Sequence, residues 1–203
     1  MKNLKFILPI IGITSGFSAY ANLISNAKAA ELSLHRVERL VILKKIEESF
    51  QSRPKSLSLV LLPHNNETEP VFKATLTQYP AADGTSKSLD ILLNGEGKSL
   101  SQTVNSGGEA SGFPEWTDKD PVTLAENSLH VILEGAPVKP ELVPYNNGLT
   151  SFVITQGKNQ AGEIFAIVDI RATETDPVLR VHMKNNGELD FYEFLKDVDK
   201  SWD

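Results

Sequence analysis

Two of the four histidines occur within a string that appears twice, Glu-x-Ser-Leu-His, at residues 31–35 and 126–130. His35 and His130 each lie beside the apolar stripe of a predicted helix. One interpretation is a shared metal or proton site where two helical units meet. The alternative is a pair of helix-edge histidines that pack their rings and hydrogen-bond to nearby carbonyls. A metal site needs three or more converging ligands, and no His-x-x-x-His or nearby His/Asp pair occurs. The sequence therefore favours the second interpretation and predicts no metal site.

A second group of candidates is cationic and aromatic. Arg180, His182 and Lys184 alternate along a predicted strand, and Lys73 and Arg171 are candidates for neighbouring strands. Such a stripe would suit a carboxylate or an acidic partner, although an ordinary solvated sheet face gives the same pattern. Trp116 lies in a predicted loop, where an aromatic residue either anchors a partner or packs between two units. We predict Trp116, Arg180, His182 and Lys184 as partner-binding residues.

Two other patterns fail as chemical sites. Residues 186–194 match the second half of a calcium loop, but His182 and Lys184 would stand where carboxylates are needed. Residues 108–112 have the wrong spacing for a nucleophilic serine turn. The chain has no cysteine, which excludes thiol catalysis and zinc–thiolate sites. Asp169 is either a carboxylate with a raised pKa or, as we favour, the partner of a nearby arginine. No catalytic residue and no cofactor is predicted.

Two helices are predicted to position these residues. The first runs from about Leu32 to Phe50, a stretch without Gly or Pro. The second has Asp120 as its cap and Pro121 at its first position, and Gly135 with Pro137 ends it.

Each predicted helix is followed by strands whose apolar residues alternate, which is typical of an antiparallel sheet with one solvated face. The alternating sets are Leu57/Leu59/Leu61, Phe72/Ala74/Leu76 and Leu89/Ile91/Leu93, then Leu149/Ser151/Val153, Ile164/Ala166/Val168/Ile170 and Leu179/Val181/Met183. Asn94-Gly95 and Asn186-Gly187 predict hairpin turns, each leading to a final strand at 98–104 or 188–195.

The two series suggest an internal duplication, because the helix string repeats at an offset of 95 residues and the third strand at 90; chance similarity is the alternative. The predicted fold class is α+β, with two similar units of one helix packed on a three- to four-stranded antiparallel sheet. The units are residues 30–104 and 121–203, joined by a linker or loop at 105–120. They either share one sheet or simply touch.

The first 29 residues are typical of a cleavable signal peptide. Lys2 and Lys5 precede an apolar run, and two small-x-small sites follow, ending at Ala21 and Ala29. The run is too short and too interrupted for a membrane span. Removing residues 1–29 takes away three lysines and no acid, which leaves 17 basic and 26 acidic residues and a net charge of −9. That charge disfavours nucleic acid and anionic lipid surfaces. We expect a periplasmic or secreted bacterial protein with no stable membrane insertion.

The segments 89–100 and 179–189 resemble the strand–turn–strand ending of a PepSY unit. A helix followed by antiparallel strands, in tandem and in an exported protein, is similar to the PepSY and beta-lactamase-inhibitor-like domains. The resemblance implies no catalytic residues and the binding or modulation of another exported protein. We therefore expect a non-enzymatic protein that binds an envelope or secreted protein. The alternatives are an unrecognised enzyme, such as a hydrolase with its site between the units, and a small-ligand carrier.

Overall fold

Among the residues that the structure describes, the fold is α+β, with one eight-stranded antiparallel sheet and four α-helices. A computed structural model describes residues 23–63, 69–81, 83–106, 119–158, 161, 164–173 and 175–195. The helices are α1 (Asn26–Ile42), α2 (Ser49–Ser52), α3 (Pro121–Gly135) and α4 (Val143–Gly148), with a 3₁₀ turn at Pro140–Leu142. The strands are β1 (Pro54–Leu61), β2 (Phe72–Gln78), β3 (Lys87–Leu93), β4 (Ser99–Ser106), β5 (Ser151–Lys158), β6 (Ile164–Arg171), β7 (Val178–Met183) and β8 (Leu189–Leu195).

The sheet runs in the order β4-β3-β2-β1-β5-β6-β7-β8. Within β1–β4 and within β5–β8, strands that follow one another along the chain pair as antiparallel hairpins. β1 pairs with β5 at the centre of the sheet. In that central pairing Leu57 is opposite Phe152. The strands from both halves of the chain therefore form one continuous sheet.

The described helices pack on one face of this sheet, and the hydrophobic core lies between the two layers. α1 contacts β1, β2 and β3, and α3 contacts β6 and β7. The inward residues of the strands are almost wholly buried, among them Leu57, Ala74, Ile91, Val168 and Val181. An amphipathic helix on a one-sided sheet buries both apolar surfaces at once, which is the layering that the alternating sequence patterns predict.

The predicted phase of β5 is wrong. The sequence pattern Leu149/Ser151/Val153 was expected to face the core, but Phe152 and Ile154 are fully buried and Val153 is 39% exposed. Leu149 is buried just before the strand begins. A one-residue shift moves every side chain of a strand to the opposite face, and the larger Phe152 and Ile154 fill the space beneath the helices.

The first helix begins and ends earlier than predicted. Ser25 caps α1 by accepting a hydrogen bond from the Lys28 amide, and the helix ends at Ile42. Lys44 adopts a left-handed conformation with φ of 53°, and the Lys45 amide donates to the Leu40 carbonyl. This is the reversal that glycine usually makes at a helix end, so the sequence offered no stop signal there.

The second helix is confirmed, with Pro121 at its first turn and the Asp120 carboxylate accepting from the Thr123 amide at 3.0 Å. The 3₁₀ turn and α4, which follow it, were not predicted. Both are short segments that begin beside prolines, Pro140 and Pro144.

The predictions for the signal peptide, the linker and the division into two units are not tested by the described residues. The residues of the signal peptide up to 22, most of the linker at 105–120, and Trp116 lie outside the described residues. The division into two units is likewise not established by the single sheet. No helix among the described residues is both long enough and apolar enough to cross a lipid bilayer.

Candidate functional site

The two copies of the Glu-x-Ser-Leu-His string meet where α1 packs against α3. His35 Nδ1 lies 3.0 Å from Glu126 Oε1, and His130 Nε2 lies 3.5 Å from Glu31 Oε1. Each histidine therefore faces the glutamate of the other copy. A late residue of one string meets an early residue of the other, so the two helices cross in an antiparallel sense at this point.

Glu38 completes a three-residue cluster on one side of this contact. Its Oε2 lies 3.7 Å from His35 Nδ1. One ligand atom each from His35, Glu38 and Glu126 lies within 4.8 Å of the other two. Imidazole nitrogen and carboxylate oxygen are both ligands of Zn²⁺ in proteins, so this cluster has the composition and spacing of a metal site.

Glu126 is the buried member of the cluster. The residue is 9% exposed, and its Oε1 is buried without a hydrogen-bond partner among the described residues, although His35 Nδ1 is close to it. Burial, followed by the charges of Glu38, Glu31 and Asp120, raises the pKa of Glu126 to about 8. Withdrawal from water and nearby negative charge both disfavour the ionised carboxylate. Both effects favour the neutral, protonated form of the Glu126 carboxyl group.

The other copy of the string has a different electrostatic environment. Glu31 is also buried, but the Lys28 ammonium forms an ion pair with its Oε2. At the 95-residue offset, Lys28 corresponds to Thr123, whose hydroxyl donates to Asp120, and Glu38 corresponds to Leu133. The Glu31 carboxylate thus has a lysine ammonium as its partner, whereas the group beside the Glu126 carboxylate is the imidazole of His35.

The serines of the two strings are not nucleophiles in this structure. Ser33 Oγ donates to the Ala29 carbonyl at 2.8 Å, and Ser128 Oγ donates to the Ala125 carbonyl at 2.7 Å. Both residues are fully buried. A hydroxyl group that bonds to its own helix and is closed to solvent cannot attack a substrate. The arrangement gives no support to a serine hydrolase at the α1–α3 contact.

His35 also lines an open groove beside the cluster. The groove has a volume of about 320 Å³ and lies between α1 and the β3–β4 turn. Arg36, Arg39, Lys98 and Ser99 contribute polar side chains to its wall. An open, charged groove does not match the enclosed apolar pocket of a small-ligand carrier, but it gives a small ion access to His35.

The predicted cationic stripe lies on the face of the sheet opposite the described helices, and four of its members have acidic partners, namely Arg180, His182, Lys184 and Lys73. Arg180 makes a two-point contact with Asp169 on β6, at 2.7 and 2.8 Å. This contact raises the pKa of Arg180, because the carboxylate favours the charged guanidinium. Lys73 on β2 similarly pairs with Asp90 on β3 at 2.9 Å, which lies in the other half of the sheet.

His182 and Lys184 are also paired with acidic residues. His182 Nε2 lies 3.0 Å from Glu193 Oε1, and its ring stacks on Phe191 with the centroids 4.0 Å apart. Lys184 follows the end of β7 and lies 3.8 Å from Glu188 in the turn. The structure thus places Arg180 and His182 together on one face, with Lys184 at the strand end. An acidic partner would have to compete with these internal carboxylates.

The sequence analysis missed the Glu38 and Glu126 carboxylates as neighbours of His35. Glu38 follows His35 by three residues on α1, a spacing that places two side chains on the same helix face. Glu126 lies on α3, far along the chain, so local spacing carries no sign of its contact with His35, and the repeated string was the available signal. If the two copies meet around an approximate two-fold axis, each histidine must face the other copy's glutamate.

Comparison of the chain with protein-family models, with curated proteins and with solved structures gives no match.

Proposed function

We propose that the chain is an exported, non-enzymatic protein that binds another envelope or secreted protein through the face of its sheet opposite the described helices. The observation that carries the proposal is the exposure of this face. Described helices cover the opposite side, while Val60 is 52%, Val153 39% and Phe191 49% exposed. A broad sheet face with exposed apolar side chains is suited to contact with a second protein surface.

The chemistry of this face favours a partner surface with little net charge. Its acidic and basic groups are largely paired with each other, as in Lys73–Asp90 and Asp169–Arg180. The central strands offer hydroxyl groups between the aliphatic side chains. The outward hydroxyl residues are Ser56, Ser58, Thr75, Thr77, Ser151 and Thr155. A partner would therefore gain apolar contact and hydrogen bonds here, without a charge of its own to be matched.

Phe191 provides the strongest anchor on this face. Its ring is half exposed and is held by stacking on His182, which Glu193 in turn orients. A preoriented aromatic side chain loses little conformational entropy on binding and often contributes much of the binding energy. Of the predicted partner-binding residues, His182 and Arg180 would act by supporting this surface.

The proposal includes the two-unit arrangement, residues 30–104 and 121–203. Its support is that α1 packs over β1, β2 and β3, whereas α3 packs over β6 and β7. The 95-residue offset of the repeated string also relates Leu57 to Phe152, the residues opposite each other in the central pairing. Such a duplicated unit is in keeping with the resemblance to tandem beta-lactamase-inhibitor-like domains, in which a second protein is bound.

If the protein is exported, we expect the signal peptide to be cut after Ala21 and not after Ala29. A cut after Ala29 would remove the Ser25 cap and the first turn of α1, with the buried Ala27. It would also remove the hydrogen bond from the Ile24 amide to the Gly95 carbonyl, at 3.0 Å. The intact mass of the purified mature protein should correspond to a chain beginning at Asn22. A mass that corresponds to a start at Ala30 would contradict this expectation.

The binding proposal can be tested by site-specific photo-cross-linking in the native host. A photoreactive residue at position 153 or 191 should give one discrete cross-linked protein. The same residue at position 42 or 138 should not, although Ile42 and Val138 are 76% and 77% exposed on other surfaces. These two positions control for simple exposure.

The captured protein should then be purified and its affinity measured by calorimetry. We expect Val153→Glu and Phe191→Ala each to weaken binding at least about tenfold, which corresponds to about 1.4 kcal/mol. Val138→Glu is the matched control and should bind within about twofold of the wild type. If all three variants bind the captured protein equally well, or all lose affinity equally, then the sheet face is not the interface.

A further inference from the structure

We propose that His35, Glu38 and Glu126 bind one divalent transition-metal ion, such as Zn²⁺, which joins α1 to α3. The inference concerns the helical side of the molecule and is independent of the protein-binding sheet face. No motif in the sequence predicts it, because the three ligands come from two separate helices.

The spacing of the three side chains fits a single ion. Zn²⁺ lies about 2.0–2.2 Å from nitrogen and oxygen ligands, so ligand atoms around one ion are roughly 3 to 4 Å from each other. His35 Nδ1 is 3.0 Å from Glu126 Oε1 and 3.7 Å from Glu38 Oε2. The carboxylate oxygens of Glu38 and Glu126 lie within 4.8 Å of each other, so an ion between the three side chains would require these two oxygens to draw together by up to about 1 Å.

The second observation is the unpartnered carboxylate that points into the cluster. Glu126 is 91% buried, and its Oε1, the atom nearest to His35, accepts no hydrogen bond from the described residues. Buried charges are normally paired or coordinate a metal ion. Glu31, the matching residue of the other string, has Lys28 as its cation. A bound divalent ion, held by His35 and Glu126 together, would supply beside Glu126 the permanent positive charge that Lys28 supplies beside Glu31.

The ligand types indicate which ions should bind. Imidazole together with carboxylate suits Zn²⁺ and its neighbours among the transition metals, whereas Ca²⁺ and Mg²⁺ prefer sites made of oxygen alone. Three protein ligands leave a fourth position for a water molecule. His35 is half exposed and lines the groove beside α1, so an ion can reach the site from solvent.

The test is calorimetric titration of the metal-free chain, purified without a polyhistidine tag, with Zn²⁺. We expect about one ion per chain with micromolar affinity, and a rise in the melting temperature that EDTA reverses. Mg²⁺ at the same concentration should have no effect. His35→Ala and Glu38→Gln should each weaken Zn²⁺ binding at least tenfold.

The other copy of the string provides matched controls. His130→Ala removes the corresponding histidine, and Glu134→Gln removes the carboxylate whose Oε1 lies 3.7 Å from His130 Nδ1 in the wild type. Each variant should keep the affinity within about twofold. His64→Ala controls for binding elsewhere on the chain. Circular dichroism confirms that each variant is folded. The proposal would be overturned if Zn²⁺ showed no saturable binding at concentrations up to about 100 times the expected micromolar Kd. An equal loss of Zn²⁺ affinity in His35→Ala and His130→Ala would also overturn it.

Discussion

Phe152→Ala should destabilise the protein by about 3–5 kcal/mol, the usual cost of removing a buried aromatic side chain. Phe152 is fully buried at the centre of the sheet, opposite Leu57 in the one pairing that joins the two halves. The cavity would open beneath the helices, where neighbouring strands restrict relaxation. Because domains of this size are stable by about 5–15 kcal/mol, the loss would be a large fraction of the total. Urea denaturation followed by circular dichroism measures it.

The matched control is Val153→Ala, one residue along the same strand. Val153 lies on the exposed face, so its truncation removes strand propensity and little packing, with an expected loss below about 1 kcal/mol. The pair of variants also tests the phase of β5. If Val153→Ala lowers the free energy of unfolding strongly and Phe152→Ala only slightly, then Val153 faces the core, as the sequence pattern predicts.

Gly97→Ala should cost about 1–3 kcal/mol, because two independent effects add at this turn. Gly97 has φ of 82°, a conformation that strains any residue with a Cβ atom. An added Cβ would also lie 2.3 Å from Leu32 Cδ1 and 2.8 Å from Ile24 Cδ1. Those side chains would have to shift, which loosens the contact between α1 and the β3–β4 turn. Thermal and urea unfolding would report the change.

Gly148→Ala is the control for this substitution. Its added Cβ would lie 3.7 Å from the Cβ of Ala172, an ordinary contact, and its φ is not in the left-handed region. The expected change is within about 0.5 kcal/mol. If both glycine variants lose equal stability, then the turn at Gly97 is not specifically constrained.

Much of the fold was predictable because most of its signals are local. Asp120 and Pro121 define the start of α3 by capping chemistry, and the alternation in β2, β3, β6 and β7 indicates their buried faces directly. Where two registers were both plausible, as in β5, the choice depends on what the helices can cover. That information comes from tertiary packing, and the sequence of a single strand does not contain it.

The candidate site was predictable to a smaller extent. The repeated string drew attention to His35 and His130, and a shared site at a helix contact was one of the two interpretations. The sequence did not show that Glu126 would be buried with the carboxylate of Glu38 close enough to raise its pKa. That property depends on how α1 crosses α3, and on Thr123 standing where the other copy has Lys28.

The strand order has a consequence for how the chain reaches its native state. Six of the seven pairings between described strands connect sequential neighbours, and within this described sheet only the β1–β5 pairing joins distant segments. The entropic cost of closing a long loop is therefore concentrated in that one step. Early in folding, β1–β4 and β5–β8 should each form a hairpin assembly from local contacts. The rate-limiting event should then be the pairing of β1 with β5, which joins the two assemblies.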